Sequence, residues 1–203
     1  MSLQKRETTF YVLWDLMGTL IHDPFFKEYF AQLDQPVSTW MKNRDKMAWV
    51  DFELGKIDEQ TFYKRIFPED LEKGKEMKSI FLQNYRFLPG AHEILQRLKF
   101  EGVPSYVLSN YPIWYKEMFE QLNLKPYFEE VFVSCDIGLR KPDARLYQHV
   151  LDQLECQPHE LIFFDDRQIN CQAAESLGIQ AIHVSETTCF EDILFGNTLI
   201  PKQ

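Results

Sequence analysis

The stretch Phe10-Tyr11-Val12-Leu13-Trp14-Asp15-Leu16-Met17-Gly18-Thr19-Leu20 decides how the rest of the chain is read. Five apolar residues in a row read as a buried strand rather than a half-exposed one. The run stops on a carboxylate and turns at Gly18-Thr19. A carboxylate at the end of a buried strand stands at the carboxyl edge of an open α/β sheet, where such sheets present reactive groups.

Working outward, the next stretch with strand character lies far downstream. His22-Asp23-Pro24-Phe25 reads as a helix start, with Asp23 as cap and Pro24 in the first turn. Phe26, Tyr29, Phe30 and Leu33 keep helical spacing, and Trp40, Met47, Val50 and Phe52 keep it loosely. Asp58 is placed to cap a helix carrying Phe62, Tyr63, Ile66 and Phe67, and a further helix is expected from Pro68 to about Gln83. After Pro89-Gly90 the pattern changes. Helices at 91–100, 112–122, 142–154 and 168–177 alternate with strands at 104–108, 130–134, 161–164 and 180–184. This alternation predicts an α/β fold, a Rossmann-like parallel sheet covered on both faces. The expected organisation is a core of residues 1–22 and 87–203, with a helical cap of residues 23–86 inserted after the first strand. A module hung beside Asp15 can close over it and exclude water.

The 203 residues carry a net charge of −9, and no basic stripe is present, which argues against nucleic acid as a partner. No run approaches the ~20 apolar residues of a membrane span. The polar start and short first apolar run give no secretory signal. Cys135, Cys156, Cys171 and Cys189 form no CxxC pair and read as structural thiols, so a cytoplasmic setting is expected.

Four stretches fall at predicted carboxyl ends of strands: Asp15 to Leu20; Ser109-Asn110; Arg140-Lys141-Pro142-Asp143; and Asp165-Asp166 with Asn170 beyond. Singly each has a bland reading as a turn, a helix start or a cap. Together they supply clustered carboxylates, a hydroxyl with neighbouring amides, and a lysine. Attack on phosphorus needs this set, and the clustered negative charge calls for a cation held by hard oxygens. Tyr111, Trp114 and the aromatic residues of the insertion are expected to face the same edge.

The pieces WDLMGTL, VLSN, GLRKPDARLY and LIFFDDRQINCQAAESLGIQAIHV resemble the haloacid dehalogenase (HAD) superfamily across nearly the whole chain. The last two, with Phe52-Glu53-Leu54-Gly55-Lys56-Ile57 and Phe62, look like its small-helical-cap subgroup with a DDR-x-x-N fourth motif. That subgroup includes sugar-phosphate phosphatases and the N-terminal phosphatase domain of soluble epoxide hydrolase. The resemblance implies a Mg²⁺-dependent phosphatase acting on a small phosphorylated metabolite. Asp15 would be the nucleophile that becomes an aspartyl-phosphate. The Met17 carbonyl and the carboxylates of Asp15 and Asp166 would bind Mg²⁺, supported by Asp165 and Asn170. Ser109, the Asn110 amide and Thr19 would hold phosphate oxygens. Lys141 would offset charge on the phosphoryl group and on Asp15.

One residue departs from the family pattern. The family's phosphatases place a second Asp where this chain has Met17, and that Asp moves the protons. General acid–base help of this kind is worth roughly 10²–10⁴ in rate. Three readings follow: a slow or restricted phosphatase in which His22, Asp23 or Glu53 substitutes; changed chemistry of the dehalogenase or phosphonatase kind; or a phospho-ligand or partner-binding homologue that turns nothing over. The Asp165-Asp166 pair argues against a metal-free dehalogenase. A phosphonatase would need a Schiff-base lysine, with Lys27, Lys42, Lys46, Lys56 and Lys64 available.

Overall fold

A computed structural model describes residues 10–33, 36–42, 44–185 and 187–196. Five strands, β1 (Tyr11–Trp14), β2 (Ser105–Ser109), β3 (Glu130–Val133), β4 (Leu161–Asp165) and β5 (Gln180–His183), form one parallel sheet in the order β3-β2-β1-β4-β5. The first strand is therefore central, and Asp15 leaves it between the ends of β2 and β4. Strand order reverses on either side of β1, which makes its carboxyl end a switch point where α/β sheets open a crevice.

Alternation along each strand splits the interior into two layers. Val12, Trp14, Val107, Val133, Ile162 and Phe164 face one way; Leu13, Leu108, Phe132, Leu161 and Phe163 face the other. The nine α-helices of the described residues are α1 (Val37–Lys42), α2 (Ala48–Glu53), α3 (Glu59–Ile66), α4 (Glu72–Asn84), α5 (Ala91–Glu101), α6 (Tyr115–Gln121), α7 (Ser134–Ile137), α8 (Ala144–Leu154) and α9 (Gln168–Glu175). Helices α5 and α6 cover the first layer through Ile94, Leu95, Leu98 and Met118, while α8 and α9 cover the second through Leu146, Val150 and Ala174. Trp14 stacks on Phe164 at 4.4 Å, and Phe190 meets both rings edge-on. Trp14 is thus packing.

Between β1 and α5 the described chain is largely helical, with no strand beyond the single bridges Met17–Ile21 and Ile21–Phe87. It leaves and returns through paired backbone: His22 N donates to Arg86 O at 2.9 Å and Leu88 N to Leu20 O at 2.8 Å. Asp23 accepts from Phe25 N at 2.9 Å, as a capping carboxylate does, and Asp58 accepts from Thr61 N at 2.7 Å to start α3. Trp49, Phe52, Phe62 and Phe81 form an aromatic core in this segment, and Trp114, between β2 and α6, inserts into it edge-on. The expectation that Trp114 faces the site edge is therefore corrected. It is fully buried, with its Nε1 donating to Glu59 at 2.6 Å.

Several boundaries shift from the sequence reading. The strand expected at 104–108 runs from Ser105 to Ser109, while Pro104 contributes only its carbonyl to Val12 N. The helix expected from Pro68 begins at Glu72, because 68–71 form a turn. Ser134, expected as strand, opens the one-turn helix α7. Helical turns at residues 190–196, anchored by Leu194 and Phe195, carried no periodic signal.

Candidate active site

The four motifs converge at the carboxyl edge. Lys141 is at their centre, with its stem buried and its ammonium donating three hydrogen bonds: to Asp15 Oδ1 at 2.6 Å, Asp165 Oδ2 at 2.6 Å and Leu108 O at 2.7 Å. Its backbone is clamped by the side chain of Asn110, which accepts from Lys141 N at 2.8 Å and donates to Lys141 O at 2.9 Å. The Asn110 side chain therefore aims the lysine and leaves only its amide for a ligand. Thr19 donates to the other oxygen of Asp15 at 3.3 Å. Asp165 is saturated: Asn170 Nδ2 donates to both of its oxygens, Arg167 N to one and Lys141 to the other.

Burial pushes the Asp15 carboxyl up to about 7; Lys141 pulls it down, and the neighbouring Asp165 and Asp166 raise it again. Burial also lifts Asp166. The Lys141 ammonium is opposed by burial, but the two carboxylates it touches more than compensate and hold it protonated.

Oxygens of Asp15, Asp165 and Asp166 lie within 4.8 Å of one another. Three features fit a hard divalent cation here. The donors are all carboxylate oxygens. Among the described residues the Met17 carbonyl accepts no hydrogen bond, while the adjacent Leu16 carbonyl accepts three amides. Gly18 has φ +80°, and a Cβ on it would overlap Asp166 Oδ2, so the turn is shaped around that carboxylate. Ser109, the last residue of β2, is buried with no partner for its hydroxyl, which leaves that donor free for a ligand oxygen.

Of the candidate substitutes for an acid at Met17, His22 is engaged by Glu28 at 2.7 Å and Asp23 caps its helical turn. Glu53 is buried at the end of α2 against Ser134 and Arg140, which its sequence context did not signal. The five lysines considered for a Schiff base, Lys27, Lys42, Lys46, Lys56 and Lys64, are all exposed. Tyr111 is buried and shares a 2.7 Å hydrogen bond with Tyr85. A cleft of about 460 Å³ opens beside Gly18 and Thr19, with His22, Leu88, Val184 and Phe190 in its walls.

A 3-2-1-4-5 parallel sheet with an acid–lysine cluster at the end of its central strand defines a Rossmann-like α/β core with a polar site at its switch point. The chain belongs to the haloacid dehalogenase-like hydrolases, whose family model matches residues 12–184. It is 32% identical over 182 residues to the chloroplast flavin mononucleotide hydrolase 1 of Arabidopsis thaliana, covering 89% of this chain and 72% of that one. It is 34% identical over 153 residues to the sesquiterpene phosphatase astK of Aspergillus oryzae, covering 71% and 76%. Among solved structures, a HAD family enzyme from Bacteroides thetaiotaomicron superposes with a TM-score of 0.75 at 23% identity, covering 91% of this chain and 98% of that one. That enzyme has also been solved with magnesium and inorganic phosphate. Among the described residues, no helix is long and apolar enough to cross a membrane.

Proposed function

We propose that this chain is a magnesium-dependent phosphatase of small phosphorylated metabolites, working through an aspartyl-phosphate on Asp15. The observation that carries this reading is the buried Lys141 ammonium between Asp15 and Asp165, with the unpartnered Ser109 hydroxyl beside it.

In this reading Asp15 attacks phosphorus and the bond to the leaving oxygen breaks. Thr19 and Lys141 orient its carboxylate, one on each oxygen. Lys141, Ser109 and the Asn110 amide neutralise charge on the transferring oxygens, electrostatic help that works best in a dry site. Water then breaks the Asp15–phosphoryl bond. Asp15, Asp166 and the Met17 carbonyl would hold Mg²⁺, with Asp165 orienting the cluster from behind. When bound, the ion screens the mutual repulsion of these carboxylates and the phosphate. Residues 23–86 serve as the cap that covers the leaving group.

Flavin mononucleotide is the first substrate to assay, because the Arabidopsis relative is named for it. Phosphate release from flavin mononucleotide and 4-nitrophenyl phosphate in Mg²⁺ is expected of the parent protein and lost in Asp15→Asn. An Asp15→Asn protein as active as the parent overturns the proposal. A parent that binds phosphate and Mg²⁺ without turnover supports the binding-homologue reading instead.

A further inference from the structure

Among the described residues only three carboxyl side chains are buried: Asp15, Asp165 and Glu53. The first two flank Lys141. The third closes α2, and nothing in the scheme above uses it. Two contacts place it over the catalytic loops. Its backbone carbonyl accepts from Ser134 Oγ at 2.5 Å, and the same hydroxyl accepts from the amide of Tyr111, two residues beyond Ser109, at 3.0 Å. Its carboxyl Oε2 lies 2.9 Å from Nη2 of Arg140, the residue before Lys141. The turn that follows is pressed down as well: a Cβ on Gly55 would overlap the Cys135 carbonyl.

The carboxyl itself is half satisfied. Oε1 accepts from Trp49 Nε1. Oε2 is attracted to Arg140 but out of line for a hydrogen bond with it, and has no other partner. With only the ion pair on it, Oε2 keeps acceptor capacity for a further donor.

Hydrolysis of an alkyl phosphate needs a proton on the departing oxygen and then a base for the attacking water. The Lys141 cluster has neither to spare. Asp15 is the nucleophile, Lys141 has committed all three of its N–H bonds, Asp165 is saturated, and Met17 carries a thioether. Resting on the phosphatase reading, we propose that Glu53 is the catalytic acid and base. In the first step Asp15 bonds to phosphorus, the phosphorus–oxygen bond to the leaving group breaks, and the Glu53 proton passes to that oxygen. In the second, the Glu53 carboxylate takes a proton from water, whose oxygen bonds to phosphorus as the Asp15–phosphorus bond breaks. Phosphate leaves and Glu53 is protonated again.

The surroundings suit the role. Burial pushes the Glu53 carboxyl up to about 7, while Arg140, the Trp49 N–H, Arg167 and Lys141 hold it from rising further. Tyr111, which also faces it, is raised by burial and stays neutral. One group near neutrality can both give and take the proton.

The test compares an alkyl phosphate (glycerol phosphate) with 4-nitrophenyl phosphate, whose leaving group needs no proton. In the parent protein, kcat/KM for the alkyl substrate falls as pH rises through about 7, and the aryl substrate lacks that limb. Glu53→Gln is expected to lose roughly 10²–10⁴ in alkyl turnover. With the aryl substrate it should release a burst of one nitrophenolate per protein and then stall as phospho-Asp15. Met17→Asp in the Glu53→Gln background should restore alkyl turnover, which repair of a purely structural contact would not. Equal losses on both substrates without a burst, or one shared basic limb in the parent, overturn the assignment. The parent pH profiles decide the matter should Glu53→Gln fail to fold. If Asp15→Asn stays active, the phosphatase reading itself falls; if Asp15→Asn is dead and Glu53→Gln intact, only the role of Glu53 is wrong.

Discussion

Replacing Lys141 by Met keeps the unbranched stem, one atom shorter, and removes its charge. Three hydrogen bonds disappear, two of them charge-assisted contacts at 2.6 Å. Asp15 and Asp165 are then left buried together with no cation between them. Breaking a buried pair by removing one partner costs about 3–5 kcal/mol, because the remaining charge is stranded. For a chain of this size each kcal/mol shifts the melting temperature by about 2–4 °C, so a fall of roughly 6–20 °C is expected at about pH 8. The sign of the pH dependence follows from Asp15. Its carboxyl already stands at about 7 with Lys141 lowering it, so in Lys141→Met it rises further. Near pH 5 it is neutral in the variant, and the penalty shrinks. The assay is thermal unfolding in chelator at the two pH values. A variant that melts with the parent at about pH 8, or whose deficit grows toward pH 5, would show that Lys141 is not the counter-ion described.

Other outcomes follow from the same geometry. In chelator, the parent should lose stability as pH rises from about 5 through about 7. Asp15, Asp166 and Glu53 are raised above their ordinary values, so the folded state holds more protons in that window. Added Mg²⁺ should therefore raise the melting temperature more at about pH 8 than near pH 5, and equal shifts would contradict the carboxylate cluster as its site. Gly18→Ala should weaken Mg²⁺ binding measured by titration calorimetry, since the new Cβ overlaps Asp166 Oδ2 and φ +80° adds about 1–2 kcal/mol of strain. Trp114→Ala should cost about 3–5 kcal/mol in denaturant unfolding, because the ring is wholly enclosed by Trp49, Phe52, Phe62 and Phe81. A loss under about 1 kcal/mol, the scale of a surface substitution, would mean the ring is not the anchor of the helical segment.

What could be read without coordinates depended on the kind of signal. β1 and β4 are apolar runs ending in Asp, so both the strand and the acid at its end were plain. Asp58 declared its helix through cap chemistry that is local to the chain. Lys141 was identified by residue type, but Lys-Pro-Asp looks like a solvated helix start, and nothing in the sequence says that the lysine is wholly buried. Its burial depends on Asn110, 31 residues away, clamping its backbone. Trp114 misled for a related reason: its position after β2 points to the site edge, but its partners come from α2, α3 and α4. Helix α7 and the turns at 190–196 are too short for a period to register. The burial of Glu53 arises from Gly55 lying against Cys135, a contact between segments about 80 residues apart.

Phosphorylation of Asp15 is the event on which the proposed chemistry depends. The Mg²⁺-loaded protein, mixed with flavin mononucleotide or 4-nitrophenyl phosphate, quenched in acid and digested, should yield the peptide around Asp15 carrying one phosphoryl group. Borohydride reduction should mark the same residue. Phosphate released at the same rate with Asp15 unmodified throughout, or an adduct on any other residue, would contradict it.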